Sequence, residues 1–236
     1  MDLRLVAVQI VRKALTAVGR GGSLPGRLAL KMDPHFIEKF HMPKHVILVT
    51  GTNGKTTTSN LIARSLMQAG LKVINNSRGD NLNVGIAPLL AANSDSNFNV
   101  QADAAVIEVD ELTLYRQFKA LRPTALVVNN FFRDQLDRAG EMETIIRKIE
   151  EVTADFEGDL IMNRDDPNVV RIANHAKKAK VHFFSVGENE VSQKTTNEAS
   201  EGKFCPDCGA RLVYDYYQYS HIGRFVCPSC QFGKIS

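Results

Sequence analysis

A strand that runs directly into a glycine-bounded turn and then a helix constrains this chain more than any other feature of its sequence. Residues 46–58 read Val-Ile-Leu-Val-Thr-Gly-Thr-Asn-Gly-Lys-Thr-Thr-Thr. The two glycines let backbone N–H groups approach phosphate oxygens, the lysine reaches the β- and γ-phosphates, and the next threonine can bind Mg²⁺. The following helix directs its positive end toward the same phosphates. We therefore predict that a nucleoside triphosphate binds at Gly51, Thr52, Asn53, Gly54, Lys55, Thr56 and Thr57.

The composition is that of a soluble globular protein, with 44% hydrophobic and 23% charged residues among 236. This length suffices for one large domain, or for one domain with a smaller one. A net charge of +3 is too small to indicate a nucleic-acid or membrane partner by itself. No apolar run reaches the roughly 18 residues of a membrane span, and residues 1–18 favour an amphipathic helix over a signal peptide. We therefore expect a cytoplasmic protein.

Strand and helix patterns alternate after the first 44 residues. Strands are predicted near 46–50, 72–75, 104–109, 124–129, 159–162 and 181–186, and helices near 55–69, 84–92, 111–120, 141–153 and 166–178. Several of these strands are continuously apolar, as strands covered on both faces are. The alternation predicts an α/β fold with a mostly parallel sheet and helices on both sides, in which ligands bind at the carboxyl ends of strands.

The sequence divides into three predicted parts. These are a helical extension at 1–44, a nucleotide-binding domain at 45–203 and a cysteine-rich module at 204–232. The glycine-rich run 19–26 is predicted to be a flexible link, and the polar run 187–203 to be a linker or an exposed loop.

The cysteine-rich module contains two Cys-x-x-Cys pairs separated by eighteen residues. Such spacing places four thiolates tetrahedrally around Zn²⁺, and a closed four-cysteine site is structural rather than catalytic. The tyrosine-rich stretch between the pairs predicts the hairpin of a zinc ribbon, and His221 is expected to be an exposed loop residue. Redox pairs or unliganded thiols are the alternatives. The predicted zinc ligands are Cys205, Cys208, Cys227 and Cys230.

Two polar positions follow predicted strands on the side where a ligand would bind. Glu108 ends the strand 104–109, where a carboxylate can hold Mg²⁺, although a surface acid fits the spacing equally well. The next two acids, Asp110 and Glu111, can instead begin the following helix. Asn163 follows the strand 159–162, and its amide can hydrogen-bond adenine because it both donates and accepts. A helix start with an Asp N-cap and Pro in the first turn is compatible with this role.

Together these motifs resemble the Mur ligase family, the ATP-dependent amide ligases of peptidoglycan synthesis, over roughly residues 45–186. The loop at 51–57 is similar to the family's phosphate loop, and Glu108 falls at its Mg²⁺-binding glutamate. The run 130–137 is similar to the family's N-x-x-x-D-H-L-D motif, and 163–167 to its adenine-side motif. The resemblance implies a Mur-ligase-type ATP-binding domain with an inserted or appended zinc ribbon.

Three positions depart from the expected patterns. Val49 stands where the longer G-x-x-x-x-G-K-[ST] form has glycine, so the match is to the shorter G-x-x-G-K-T form. Gln135 replaces a family histidine that helps to hold a second Mg²⁺, which puts that second metal site in doubt. Lys148 is near the position of the family's carbamylated lysine but is not a convincing counterpart.

The four-cysteine ribbon resembles the amidating branch of the family, in which Gln135 is the expected variant. The resemblance implies that Lys55 and Glu108 are catalytic and that Thr56 and Glu108 hold Mg²⁺. It implies that ATP phosphorylates the α-carboxylate of D-glutamate in the lipid II stem peptide at the inner membrane face. Ammonia from a partner glutaminase of the GatD type then amidates the acyl phosphate.

The same resemblance implies a further domain after the ribbon, which carries a catalytic acid and the glutaminase contact. We therefore expect the 236-residue chain alone to be inactive as a synthetase.

Two other functions fit parts of the sequence. A ligase of the folylpolyglutamate type is compatible with the phosphate loop, but the ribbon argues against it. An NTP-dependent nucleic-acid factor would use Tyr214, Tyr216 and Tyr217 for base stacking. Residues 204–230 contain only two arginines against two aspartates, however, and therefore no basic stripe.

Overall fold

The computed structural model describes residues 2–17, 23–76, 80–132, 139–196 and 202–234. Its helices are α1 (Leu3–Ala17), α2 (Leu24–Met32), α3 (Lys55–Gln68), α4 (Asn83–Ala92), α5 (Glu111–Leu121), α6 (Ala139–Thr153) and α7 (Pro167–His175), with a 3₁₀ turn at Phe36–Lys39. Its strands are β1 (His45–Thr50), β2 (Val73–Asn75), β3 (Ala104–Glu108), β4 (Ala125–Val128), β5 (Asp159–Asn163), β6 (Lys180–Phe184), β7 (Val213–Tyr219) and β8 (Ile222–Val226).

Six of the strands form one sheet in the order β2-β3-β1-β4-β5-β6. The pairs β1–β3, β2–β3 and β5–β6 are parallel, which confirms the predicted α/β class. All five residues of β3 are buried, as its continuous apolar sequence predicts for a strand covered on both faces. The register places Val49 of β1 opposite Glu108 of β3, so the two strands end together.

The chain forms two compact units, Met1–Thr50 with Gly54–Leu126, and Gly51–Asn53 with Val127–Ser236. The first unit contains α2, which corrects the prediction of a flexible link at residues 24–26. Gly26 lies in this helix, and a Cβ there would collide with the backbone of Val84 in α4. Glycine is used here for close helix packing rather than for flexibility. Residues 19–22 of the predicted link lie outside the described residues.

Helix boundaries follow the local signals in the sequence. Asp110 is the N-cap of α5 and accepts hydrogen bonds from the N–H groups of the second and third helical residues. Asp166 is the N-cap of α7, and Pro167 occupies its first position. Gly70, with φ of +89°, lies just after α3, where a left-handed residue commonly ends a helix.

The last two strands form an antiparallel hairpin within the predicted cysteine-rich module. The polar run before it is exposed over most of its described part, 187–196. Gln193 forms two backbone hydrogen bonds of 2.8 Å with Tyr217 of the hairpin. These bonds attach the run to β7. Among the described residues, no helix combines the length and apolarity needed to cross a lipid bilayer.

Candidate nucleotide and metal sites

The turn after β1 has the backbone shape that the sequence predicted. Gly51 and Gly54 have φ angles of +124° and +79°, which favour glycine. A Cβ on Gly51 would lie 2.9 Å from both the N and the O atom of Asn130. Both this close contact and the positive φ angle therefore disfavour any residue other than glycine at this position. Gly54 is the N-cap of α3, and its carbonyl accepts the hydrogen bond of Thr58 N at 2.9 Å. The first-turn N–H groups of α3 therefore point out of the helix end, as in anion-binding helix termini.

The segment after β4 holds Thr52 and Asn53 in place. Asn130 O accepts from Thr52 N at 2.8 Å, and Asn130 Oδ1 accepts from Asn53 N at 2.9 Å. Asn129 Nδ2 donates to Asn53 O at 3.2 Å, and Phe132 N donates to Thr52 Oγ1 at 2.9 Å. The amides of Thr52 and Asn53 are therefore held by the protein itself, which fixes the shape of the turn that leads into α3. Residues 133–138, including Gln135, lie outside the described residues.

Glu108 is a buried carboxylate at the end of β3, only 2% exposed. Its Oε2 atom accepts a hydrogen bond of 2.7 Å from Thr56 Oγ1, and its Oε1 atom accepts one of 3.1 Å from Asn81 Nδ2. Asn76 fixes the backbone of Glu108 through Nδ2 to O at 2.8 Å and through Oδ1 from N at 2.8 Å. The structure thus brings the two predicted Mg²⁺ ligands together.

The pair of Thr56 and Glu108 fits a Mg²⁺ ion in spacing and chemistry. Adjacent oxygen ligands of an octahedral Mg²⁺ lie about 3.0 Å apart, given Mg–O distances of about 2.1 Å. The two protein oxygens are 2.7 Å apart and need little movement to become neighbouring ligands. Asn76 and Asn81 were not singled out in the sequence, because asparagines between β2 and α4 carry no motif that marks them as partners of Glu108.

Lys55 at the start of α3 lies beside a second buried acid. Its Nζ atom is 3.7 Å from Glu111 Oε1, and the two side chains are only 14% and 13% exposed. Burial raises the pKa of Glu111, and the charge of Lys55 offsets part of that rise. Phosphate oxygens bound at this helix end would interact with the Lys55 ammonium more strongly than Glu111 does at this distance.

Asn163 is buried at the end of β5 and forms hydrogen bonds with its own surroundings. Its Nδ2 atom donates to Asn129 O at 2.8 Å, and its Oδ1 atom accepts from Asp165 N at 2.9 Å. The residue therefore ties the end of β5 to the segment that follows β4. Its contact with adenine stays a prediction.

The four cysteines come together as the spacing predicted, with all Sγ atoms within 4.8 Å of one another. Two Sγ–Sγ distances are 3.6 Å for Cys205 and Cys230 and 3.5 Å for Cys208 and Cys227. The edge of a tetrahedral zinc–thiolate site is about 3.8 Å, from Zn–S bonds of about 2.3 Å, so the cluster fits Zn²⁺. All four thiols are unbridged, which is the state a metal site requires.

The hairpin between the cysteine pairs is less exposed than the sequence suggested. His221, predicted to be an exposed loop residue, is completely buried because it lies under Phe132, with ring centroids 4.8 Å apart. Tyr216 is 7% exposed, and the rings of Tyr214 and Tyr217 stack on each other at 4.3 Å. These tyrosines do not form the row of open rings that base stacking needs.

Comparison with known proteins agrees with this fold. The Mur ligase middle domain matches residues 49–219. The chain therefore belongs to the Mur ligase family.

Within that family, two curated relatives match nearly the whole chain. It is 37% identical over 228 residues to subunit MurT of lipid II isoglutaminyl synthase (glutamine-hydrolyzing) from Staphylococcus aureus strain COL, a match that covers 96% of this chain and 50% of the relative. The corresponding Streptococcus pneumoniae (strain ATCC BAA-255 / R6) subunit is 32% identical over 239 residues, covering 97% and 50%. The chain thus spans about half the length of these relatives.

A solved structure supports the fold alone. A crystal structure of MurF from Acinetobacter baumannii superposes with a TM-score of 0.51 at 22% identity, over 70% of this chain and 36% of that one.

Proposed function

We propose that this chain is the ATP-binding part of an amidating ligase that acts on lipid II in peptidoglycan synthesis in the cytoplasm. The observation that carries the proposal is the similarity to the two MurT subunits over nearly the whole chain, cysteine ribbon included. The phosphate loop alone is also compatible with a ligase of the folylpolyglutamate type. The ribbon argues against that alternative.

The proposed chemistry is activation of the α-carboxylate of D-glutamate as an acyl phosphate, followed by amidation with glutamine-derived ammonia from a glutaminase partner. The carboxylate oxygen attacks the γ-phosphorus of ATP, the bond to the β-phosphate bridging oxygen breaks, and ADP leaves. Ammonia then attacks the acyl carbon, the bond from this carbon to the phosphate oxygen breaks, phosphate departs, and the nitrogen releases one proton to give the neutral amide. The first step requires that negative charge be neutralised as the carboxylate approaches the γ-phosphate.

The residues of the first compact unit supply this neutralisation in the proposal. Lys55 and the first-turn N–H groups of α3 bind the phosphates. Thr56 and Glu108 would hold Mg²⁺, which would supply positive charge against the phosphates. In the absence of nucleotide, Glu111 orients the ammonium group of Lys55, with 3.7 Å between Glu111 Oε1 and Lys55 Nζ.

The second unit would hold the predicted zinc ion at Cys205, Cys208, Cys227 and Cys230. A closed four-thiolate site leaves no open coordination position, so the zinc is structural in this proposal.

The test is to purify the complex that contains this chain from its native cells and to assay it with lipid II, ATP and glutamine. We expect ATP- and glutamine-dependent formation of D-isoglutamine, and its loss in Lys55→Ala and in Glu108→Ala. Glu190→Ala, at an exposed position, is the matched control. A complex that amidates at the wild-type rate with either active-site variant would refute the assigned roles. A complex without amidating activity would refute the function.

A further inference from the structure

The tip of the ribbon hairpin is packed against the segment that holds the phosphate loop. His221, at the turn between β7 and β8, is completely buried and lies beside the ring of Phe132. Tyr219 stacks on the same ring, with centroids 5.4 Å apart and an interplanar angle of 11°. Phe132 is therefore in contact with two aromatic rings of the hairpin, and both contacts lie within the second compact unit.

His221 also lies beside a buried carboxylate. Its Nε2 atom is 3.6 Å from Asp166 Oδ1, and both side chains are 0% exposed. Asp166 Oδ2 accepts a hydrogen bond of 2.7 Å from Phe131 N, and Oδ1 accepts one of 2.8 Å from Asn168 N. This carboxylate thus joins the start of α7, the segment after β4 and the hairpin.

The segment that Asp166 and His221 contact is the one that shapes the phosphate loop. Phe132 N donates to Thr52 Oγ1 at 2.9 Å, and the preceding Asn130 accepts from the N–H groups of Thr52 and Asn53. Gly51 packs against the backbone of the same Asn130. A displacement of the segment would therefore move three consecutive residues of the loop.

The hairpin tip in turn depends on the four-cysteine cluster. Strand β8 runs from Ile222, next to His221, directly to Cys227. The side chains around the cluster form one buried group with Val170 of α7, made of Cys205, Leu212, Phe225, Cys227 and Phe232. Gly223 N donates to Asp165 O at 2.9 Å, which fixes the tip to the loop before α7.

We propose that His221 is a positioning residue for nucleotide binding: the ribbon holds Phe132 and Asp166 through His221, and these hold Thr52 and Asn53 in the shape that phosphate requires. The ribbon then has a role beyond its own stability. It supports the phosphate loop through two successive contacts, the first from His221 to Phe132 and the second from Phe132 to Thr52. This inference rests on the proposed nucleotide-binding function.

The experiment compares Mg²⁺–ADP affinity, zinc content and unfolding midpoint of the zinc-loaded 236-residue chain and its variants. His221→Ala is expected to weaken ADP binding about tenfold while one zinc per chain remains. His221→Gln keeps a nitrogen donor near the Nε2 position and is expected to bind within about threefold of the wild type. His182→Ala removes an exposed histidine from β6 and should leave the dissociation constant unchanged.

If His221 had a purely structural role, its loss would lower the unfolding midpoint without changing the ADP affinity of the folded protein. The dissociation constant for Mg²⁺–ADP therefore distinguishes a positioning role from a structural one. Wild-type affinity in zinc-loaded His221→Ala would overturn the inference, and so would a loss of affinity that merely follows loss of zinc. If His221→Ala does not fold, Tyr219→Ala replaces it, because that side chain is half exposed. Tyr219→Ala should weaken binding about threefold, and unchanged binding would overturn the inference. Absence of ADP binding by the wild type would instead refute the proposed function.

Discussion

At the scale of single residues, Gly51 shows both what the sequence reveals and what it does not. The pattern G-x-x-G-K-T predicts glycine here because phosphate approaches the backbone. The structure adds a second reason, since the backbone of Asn130 lies where a Cβ would be. That neighbour is 79 residues away in sequence, and no local pattern identifies it.

Gly51→Ala should therefore destabilise the protein even without nucleotide. A residue with φ of +124° is strained by roughly 1–3 kcal/mol when it carries a Cβ, and the contact with Asn130 adds to this. We expect the free energy of unfolding, measured by urea denaturation, to fall by about 2 kcal/mol or more. Gly187→Ala is the matched control, because nothing lies within 4 Å of its Cβ position. Equal stability of the two variants would contradict this account of the loop.

At the scale of elements, the sequence predicted the strands and most helices because their periodicity and end signals are local. Asp110, Asp166 with Pro167, and Gly70 all mark boundaries that the structure has. The prediction failed at α2, where Pro25 and Gly26 signal a turn when read alone. Burial against α4 overrides that local preference. The burial of His221 was missed for a similar reason, because it is created by Phe132, far away in sequence.

Helices α6 and α7 are joined by an ion-pair cluster whose effect on stability should depend on pH. Arg171 donates to Glu143 Oε2 at 2.8 Å and to Glu150 Oε1 at 2.7 Å. Hydrogen bonding from Arg171 lowers the pKa of Glu143 below its ordinary value of 4.5. A carboxylate with a lowered pKa stabilises the fold above its unfolded-state pKa, and this stabilisation is lost as pH falls through the folded-state pKa.

Glu143→Gln should therefore lower the free energy of unfolding at pH 7 by about 0.5–1 kcal/mol, a small value because the glutamate is partly exposed. The difference from the wild type should shrink as the pH falls below about 4.5. Denaturation curves from pH 3 to pH 7 measure this directly, with Glu190→Gln as the exposed control. A difference that stays constant over that range would show that the charge of Glu143 is not its cause.

At the scale of the whole molecule, the four-cysteine module is proposed to connect a zinc site with the segment that holds Thr52 and Asn53. The chain has no tryptophan, and four of its five tyrosines lie between residues 214 and 219. Tyrosine fluorescence therefore reports almost entirely on the hairpin. Chelation of the metal, or Cys205→Ser, should change this fluorescence and release one zinc per chain, because the small module depends on its metal to fold.

The same treatment should weaken nucleotide binding if the ribbon supports Thr52 and Asn53. Restoring zinc to the chelated wild type should restore both the fluorescence and the affinity, whereas Cys205→Ser should recover neither. Unchanged tyrosine fluorescence after complete zinc removal would contradict a metal-dependent hairpin.

The binding of Mg²⁺–ATP to the 236-residue chain, measured by calorimetry, tests the central claim most directly. We expect one ATP per chain, dependence on Mg²⁺, and a loss of affinity of at least tenfold in Lys55→Ala. Lys119→Ala, at an exposed position on α5, should bind as the wild type does. Absence of binding, or binding that Lys55→Ala leaves unchanged, would contradict the claim that the loop at 51–57 is a nucleotide site.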